Sequence, residues 1–298
     1  MKKKKISKQF LEASNNLFDE NKNLQPSNFD NFKEIINQES NLFIESSENN
    51  VKYFFLYQKM HNELNEKNNV NEIEEFDSDQ TVPEIELYKC INNFELKNKS
   101  IISDIFYFSQ VNIKKCIKCG VCLYNFTMHN NLIFLLEKTK LYKESKQNPF
   151  ESINLYDCFE YYTTKENKIF DNKMNCESCK EKYEISNKIS TLPEIFTIFL
   201  VREINNNIDY KFQINDEIED LDKYMINFNE ITGHEKQKYK LIGIIIENSK
   251  EKSKYISFCK SPIDDKQWYL NDNSQIINNI DPFEEIKAIP YFLIYQKM

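Results

Sequence analysis

Four of the eight cysteines fall into two Cys-x-x-Cys pairs, Cys116 with Cys119 and Cys176 with Cys179. Two such knuckles supply four thiolates, the tetrahedral donor set that structural zinc prefers at roughly 2.3 Å per bond. Four ligands close the shell and leave no position for a substrate or an activated water. The metal implied by this spacing is therefore structural, and its binding energy would order a tip with little core of its own. The plainer alternative is four ordinary buried thiols. Cys122 forms a further Cys-x-x-Cys with Cys119 and competes for a ligand role. Cys90, Cys158 and Cys259 lie in apolar sequence and read as small hydrophobes.

Little else in the composition can do chemistry. Only His61, His129 and His234 offer an imidazole near neutral pH, so a histidine-dependent mechanism must use one of them. Glycine occurs three times, at Gly120, Gly233 and Gly243, which excludes phosphate-cradling glycine loops and the strained nucleophile elbow. A formal charge of -8 and a pI near 5.2 disfavour nucleic acid as a partner and suit a basic protein surface. The apolar runs Ile195 to Val201 and Leu241 to Ile246 are far shorter than the ~20 residues a bilayer span needs. Lys2 to Lys5 resemble the start of a signal peptide, but the residues after them are polar. The expectation is an intracellular chain, cytoplasmic or nuclear, with no membrane partner and with reduced thiols.

The elements that would position the cysteines divide the chain. Residues 1–27 read as a weakly ordered basic and Asn-rich tail. Phe29, Phe32, Ile35 and Ile36 fall at helical spacing, with Ser27 or Asn28 placed to cap. A second helix is expected over 50–67, on the apolar face of Val51, Phe54, Phe55, Tyr57, Met60 and Leu64. Residues 68–84 read as an acidic linker. From residue 85 the pattern turns to short β-branched and aromatic stretches. Expected strands are 85–90, 101–108, 131–136, 195–201, 238–246, 254–260, 267–270 and 291–295, with one helix over 149–162. With 40% hydrophobic and 14% aromatic residues, a packed interior is expected.

The order of these features resembles the catalytic domain of the ubiquitin-specific proteases, cysteine deubiquitinases with papain-like palm, thumb and fingers. The match runs through Asn49 to Leu56 and His61-Asn62-Glu63-Leu64, similar to the family helix that reads Q-D-A-x-E-F and ends in L-H-x-E-L. It continues through Ile101 to Phe106 with Cys116 and Cys119, then Leu155 to Phe159, Cys176-x-x-Cys179 and Lys188. The most specific piece is Leu192-Pro193 through Arg202, similar to L-P-x-x-L-x-x-x-L-x-R. Tyr239 to Ile246, Lys254 to Phe258, Trp268 to Asp272 and Ala288 to Tyr295 complete the series. The resemblance implies an α+β fold: a truncated helical thumb at 28–67, and a β-rich palm with fingers over 85–298, their zinc ribbon at 116–179.

The departures fall where the chemistry should be. The family nucleophile lies in a box close to G-N-T-C-Y-x-N upstream of the Q-D-A helix, and this chain has no cysteine before Cys90. Where the family has G-H-Y, the chain has Ser253-Lys254-Tyr255. Lysine, with an ordinary pKa near ~10.4, is cationic at neutral pH and accepts no thiol proton unless strongly desolvated. A second histidine, usual after the Ile244 to Ile246 strand, is replaced by Glu247. Only Asn271 and Asp272 remain at the third-member position, and an orienter without a base is catalytically idle. Gly233-His234 lies before the Tyr239 strand and is followed by Glu235, so it reads as a loop histidine.

Three readings of function follow. The resemblance favours a catalytically inactive domain that binds ubiquitin, a ubiquitinated protein or a protein assembly. The alternative is an active thiol-dependent deubiquitinase whose nucleophile-bearing N-terminus is missing from this chain, although that leaves Lys254 unexplained. A third is an unrelated zinc-ribbon interaction module.

Overall fold

A computed structural model describes residues 7, 8, 10, 58–65, 82–146, 152–164, 175–202, 211–227, 237–247, 255–261, 264–271, 276–286 and 290–298. All of the expected tail but residues 7, 8 and 10, the 29–36 helix and its cap, most of the 50–67 helix and nearly all of the acidic stretch lie outside them. So do His234, Lys254 and Asp272. The chain forms two compact units, one of residues 1–73 and 93–105, the other of residues 74–92 and 106–298.

In the first unit, residues 58–64 are helical, within the expected helix. Two stretches expected as strands are helices instead. Helix α1, Pro83–Lys97, whose residues 83–92 belong to the second unit, contains residues 85–90, and α2, Ile101–Phe106, takes most of 101–108. The local chemistry accounts for both. Proline stands at the first helical position of α1, Glu84 and Glu86 occupy its positive end, and Lys97 its negative end. In α2, Ser100 and Ser103 cap one another: the Ser103 amide donates to Ser100 Oγ at 3.1 Å and the Ser100 amide to Ser103 Oγ at 2.8 Å. This is a capping box with serine in place of the usual glutamate.

The second unit is built on an eight-stranded sheet of order β12-β11-β10-β9-β13-β6-β3 along its main path, with β8 against β9. These strands are β3 (Leu132–Leu135), β6 (Ile195–Val201), β8 (Glu217–Ile218), β9 (Tyr239–Glu247), β10 (Tyr255–Lys260), β11 (Trp268–Asn271), β12 (Ile276–Asn278) and β13 (Pro290–Lys297). Only β3 with β6 is parallel. Strand β6 lies between β13 and β3, and its Phe196 to Leu200 are all buried, so it reads as a continuous apolar run.

Helices α3 (Leu136–Lys146) and α4 (Leu155–Thr163) and a 3-10 turn at Leu221–Tyr224 carry residues of the same core. Phe159 of α4 is fully buried, edge-on to Phe134 at 5.0 Å and stacked on Tyr224 at 5.1 Å between centroids. Asn154 and Asp157 form a complete capping box that starts α4 at residue 155. This is later than the expected 149, because Ser152–Asn154 is β4, paired in parallel with β7 (Lys211–Gln213). Lys143 of α3 ties α4 down, with Nζ 2.7 Å from Asp157 Oδ2 and 2.8 Å from the Ser152 carbonyl.

A second sheet, of order β2-β1-β5, is formed by strands that adjoin the two Cys-x-x-Cys turns in the chain. It consists of β1 (Phe108–Cys116), β2 (Cys122–His129) and β5 (Tyr183–Ile189), all antiparallel. Val111 and Phe126 are buried on one face with Ile226, and Leu87 and Cys90 of α1 pack against them. The opposite face carries a row of three amides in register, Asn125, Asn112 and Asn187. Asn112 Nδ2 donates to Asn187 Oδ1 at 3.0 Å.

Candidate metal centre and catalytic positions

Strand β1 ends at Cys116, and β5 begins just beyond the second pair, so the sheet brings the two Cys-x-x-Cys turns to the same end. Each turn is a tight knuckle. In the first, the Cys116 amide donates to the Val121 carbonyl at 2.8 Å and the Gly120 amide to the Cys116 carbonyl at 3.1 Å. In the second, the Cys176 amide donates to the Glu181 carbonyl at 2.8 Å and the Lys180 amide to the Cys176 carbonyl at 2.7 Å. The residue just after the second cysteine of each pair is left-handed: Gly120 has φ 74° and Lys180 has φ 61°. Glycine adopts this conformation freely, whereas lysine is strained in it.

The four Sγ atoms all lie within 4.8 Å of one another. Cys116 Sγ is 3.3 Å from Cys179 Sγ, and Cys119 Sγ is 3.5 Å from Cys176 Sγ. A tetrahedron with 2.3 Å bonds places its sulfurs about 3.8 Å apart. Donor chemistry and spacing thus both fit a metal ion of tetrathiolate preference. Backbone amides favour the anionic form of one thiol in each pair: the Cys179 amide, as the largest cause, pulls Cys176 down to about 6, and the Cys119 amide lowers Cys116. Against the Val121 and Glu181 amides, neighbouring thiols and burial push Cys119 up to about 12 and raise Cys179. Beneath the thiols the only buried apolar side chain of the cluster is Tyr183, with Leu123 partly buried beside it.

Cys122 stands outside this group, with its thiol 3.4 Å from the Gly120 carbonyl. Cys158 is fully enclosed in the core, where burial pushes its thiol pKa up, and Cys90 packs on the finger sheet. Both behave as the small hydrophobes expected. Cys259 does not: it is exposed, because it falls on the outward side of β10 between the buried Phe258 and Lys260.

Of the residues expected at or beside the family's catalytic positions, Tyr255 and Asn271 are described. Tyr255 opens β10 and Asn271 closes β11, directly opposite Ser257. Tyr255 meets Tyr291 edge-on at 5.6 Å, and the Arg202 guanidinium lies 4.1 Å above the Tyr291 ring. The described histidines are engaged elsewhere. His129 Nε2 is 2.8 Å from Thr127 Oγ1, and His61 Nδ1 is 2.7 Å from Ser100 Oγ. Lys188 donates to the Lys223 carbonyl at 3.2 Å.

Sequence reasoning did not single out Lys180, Tyr183 or the Ser100–Ser103 box. The signal for Lys180 was available, since it occupies in the second knuckle the position of Gly120 in the first.

The family described as "Ubiquitin carboxyl-terminal hydrolase" matches residues 1–295. The chain belongs to this family. A curated relative, "Ubiquitin carboxyl-terminal hydrolase 5" of Arabidopsis thaliana, is 26% identical over 182 residues, which are 59% of this chain and 19% of that protein. A solved SAGA DUB module of Ubp8, Sgf11, Sus1 and Sgf73 is similar at TM-score 0.70 and 17% identity, covering 98% of this chain and 59% of the other. A second SAGA DUB module, bound to monoubiquitin, is similar at TM-score 0.51 and 18% identity over 71% of this chain and 46% of the other. The chain thus spans about a fifth of the curated hydrolase and about three fifths of the first solved chain. The fold is the ubiquitin-specific protease fold, α+β with palm and fingers, as the signature motifs implied. No described helix of this hydrolase-family chain is long and apolar enough to cross a membrane.

Proposed function

We propose that this member of the hydrolase family is catalytically inactive and acts by binding ubiquitin or a ubiquitinated protein within a protein assembly. The observation that carries the reading is a family match over residues 1–295 in which the given sequence does not supply the expected catalytic residues. No cysteine precedes Cys90, lysine stands at the histidine position, and only Asn271 and Asp272 match the third member. Four of the described thiols face one another at the finger tip, Cys158 is sealed in the core, and His61 and His129 hydrogen-bond hydroxyls. Lys254 cannot serve as a base in its ordinary cationic form.

Ubiquitin is the favoured partner because a solved structure of the same fold is a module bound to monoubiquitin, and assembly partners are favoured because that module has several chains. Cys116, Cys119, Cys176 and Cys179 would hold zinc. When bound, it supplies a closed tetrahedral crosslink between the β1 and β5 ends of the fingers and no open coordination position. Such thiolates persist in a reducing compartment, cytoplasmic or nuclear.

The test is a titration of labelled ubiquitin with the purified, zinc-loaded chain, read by NMR, beside a fluorogenic ubiquitin hydrolysis assay. Saturable shifts on one ubiquitin face with no hydrolysis support a non-catalytic receptor. Hydrolysis abolished by thiol alkylation would sink the inactive reading, and a flat titration would sink ubiquitin as the partner.

A further inference from the structure

His61 is only 4% exposed, and its ring lies on Phe94 of α1 with centroids 6.3 Å apart and planes 13° from parallel. Its Nδ1 meets Ser100 Oγ at 2.7 Å. The direction of that bond follows from the other bonds of the two serines. Ser103 Oγ donates its proton to the Ser100 carbonyl at 2.7 Å while accepting the Ser100 amide. Ser100 Oγ accepts the Ser103 amide, so it still has its own hydroxyl proton to place. His61 Nδ1 is the acceptor in reach. The ring is then neutral, with its lone pair on Nδ1 and its proton on Nε2. The Asn98 side chain also hydrogen-bonds the ring.

We propose that His61 is a proton-operated latch: while neutral it draws the Ser100 hydroxyl and pins the helical segment 58–64 to the capped start of α2, and a proton taken from solvent onto Nδ1 opposes that bond and releases the segment. The proposal does not depend on ubiquitin binding. The charged groups on the described elements around the ring are Lys59 and Glu63 on its own segment, Glu95 and Lys97 near Phe94 on α1 with Glu84, Glu86 and Lys89 toward its start, Lys99 just before α2 and Asp104 within it. Lys99 and Asp104 pair with each other at 2.7 Å, and Glu63 accepts the Ser7 amide at 2.8 Å. The ring's pKa is moved by burial, which lowers it, and by the smaller opposing effect of Asn98. Because the folded value lies below the unfolded one, near ~6.5, the released segment binds more protons. Anchoring is complete above that pH and is lost as pH falls through the folded value.

The test uses the full chain. Heteronuclear NMR of the His61 ring, assigned by comparison with His61→Asn, reports tautomer and pKa. Hydrogen exchange, expressed as protection factors, reports segments 58–64 and 98–106 between pH 7.5 and 5. Expected are an Nε2–H tautomer, a pKa below that of free histidine, and protection at these segments falling by at most about tenfold per pH unit between about 6.5 and the ring's own pKa, then levelling off. The β9–β13 ladder should hold its protection over the same range. His61→Asn keeps an acceptor near Nδ1 but cannot titrate, so its protection should be flat with pH. An Nδ1–H tautomer, a pKa at or above the free value, or wild-type protection that does not change with pH each overturns the latch. If His61→Asn fails to fold, the wild-type ring titration and exchange profile decide alone.

Discussion

Removal of the metal from the finger tip is the perturbation that separates a structural tetrathiolate from four thiols that happen to meet. The tip cluster buries Cys116, Cys176 and Tyr183, with Leu123 and Cys179 partly covered. Setting the thiols aside, its apolar content is essentially one aromatic ring, worth about 1.5–3 kcal/mol on full burial. Structural zinc contributes about 10–16 kcal/mol in small zinc-finger peptides near neutral pH. The metal term therefore exceeds the packing term several-fold. Local opening of the tip cannot cost more than unfolding of the whole domain, about 5–15 kcal/mol, so the visible loss is capped. A loss of at least about 3 kcal/mol is expected, on the order of a hundredfold faster amide exchange. Chelation, and separately Cys176→Ser, should produce this at residues 112–125 and 175–187. The β9 and β13 ladder, whose core side chains include Leu241, Ile244, Leu293 and Tyr295, should be unchanged. Metal analysis should give one zinc per chain before chelation and none after. Tip protection that is equal with and without metal, or a protected tip in metal-free protein, would refute the reasoning.

Further predictions concern the two sites where local structure is most costly to change. Phe159→Ala removes a fully buried ring that packs on Phe134 and Tyr224, and should cost about 3–5 kcal/mol in urea unfolding, with a reduced midpoint and an unchanged slope. Lys180→Gly relieves a left-handed lysine, and should stabilise the tip by about 1 kcal/mol, seen as slower exchange at residues 176–182.

Much of the palm and the four clustered cysteines could be read directly. The apolar run of β6 and the alternating stretches of β9, β10 and β13 announce buried strands, because side-chain burial in a strand is a local pattern of period two or of continuous hydrophobicity. The two Cys-x-x-Cys pairs name their own ligands because a knuckle is a property of a few consecutive residues. Helices α1 and α2 were misread for a related reason: Ile85, Leu87, Ile101 and Ile102 are β-branched or apolar in short runs that either state can use. Proline at the helix start and the Ser100–Ser103 box outweigh that preference, and both are end effects that composition hides.

The sequence by itself determined the two Cys-x-x-Cys pairs and the family, since each rests on which residue types stand in which order. Tertiary structure alone decided which thiols meet. Cys122 has the same spacing from Cys119 as a true knuckle, yet the turn aims it at the Gly120 carbonyl, while antiparallel pairing of β1 with β5 carries Cys176 and Cys179 across from a distant part of the chain. Tertiary packing likewise left Cys259 exposed and buried His61 against Ser100, because the face of a strand or helix that meets solvent depends on what packs against it, and no local spacing records that.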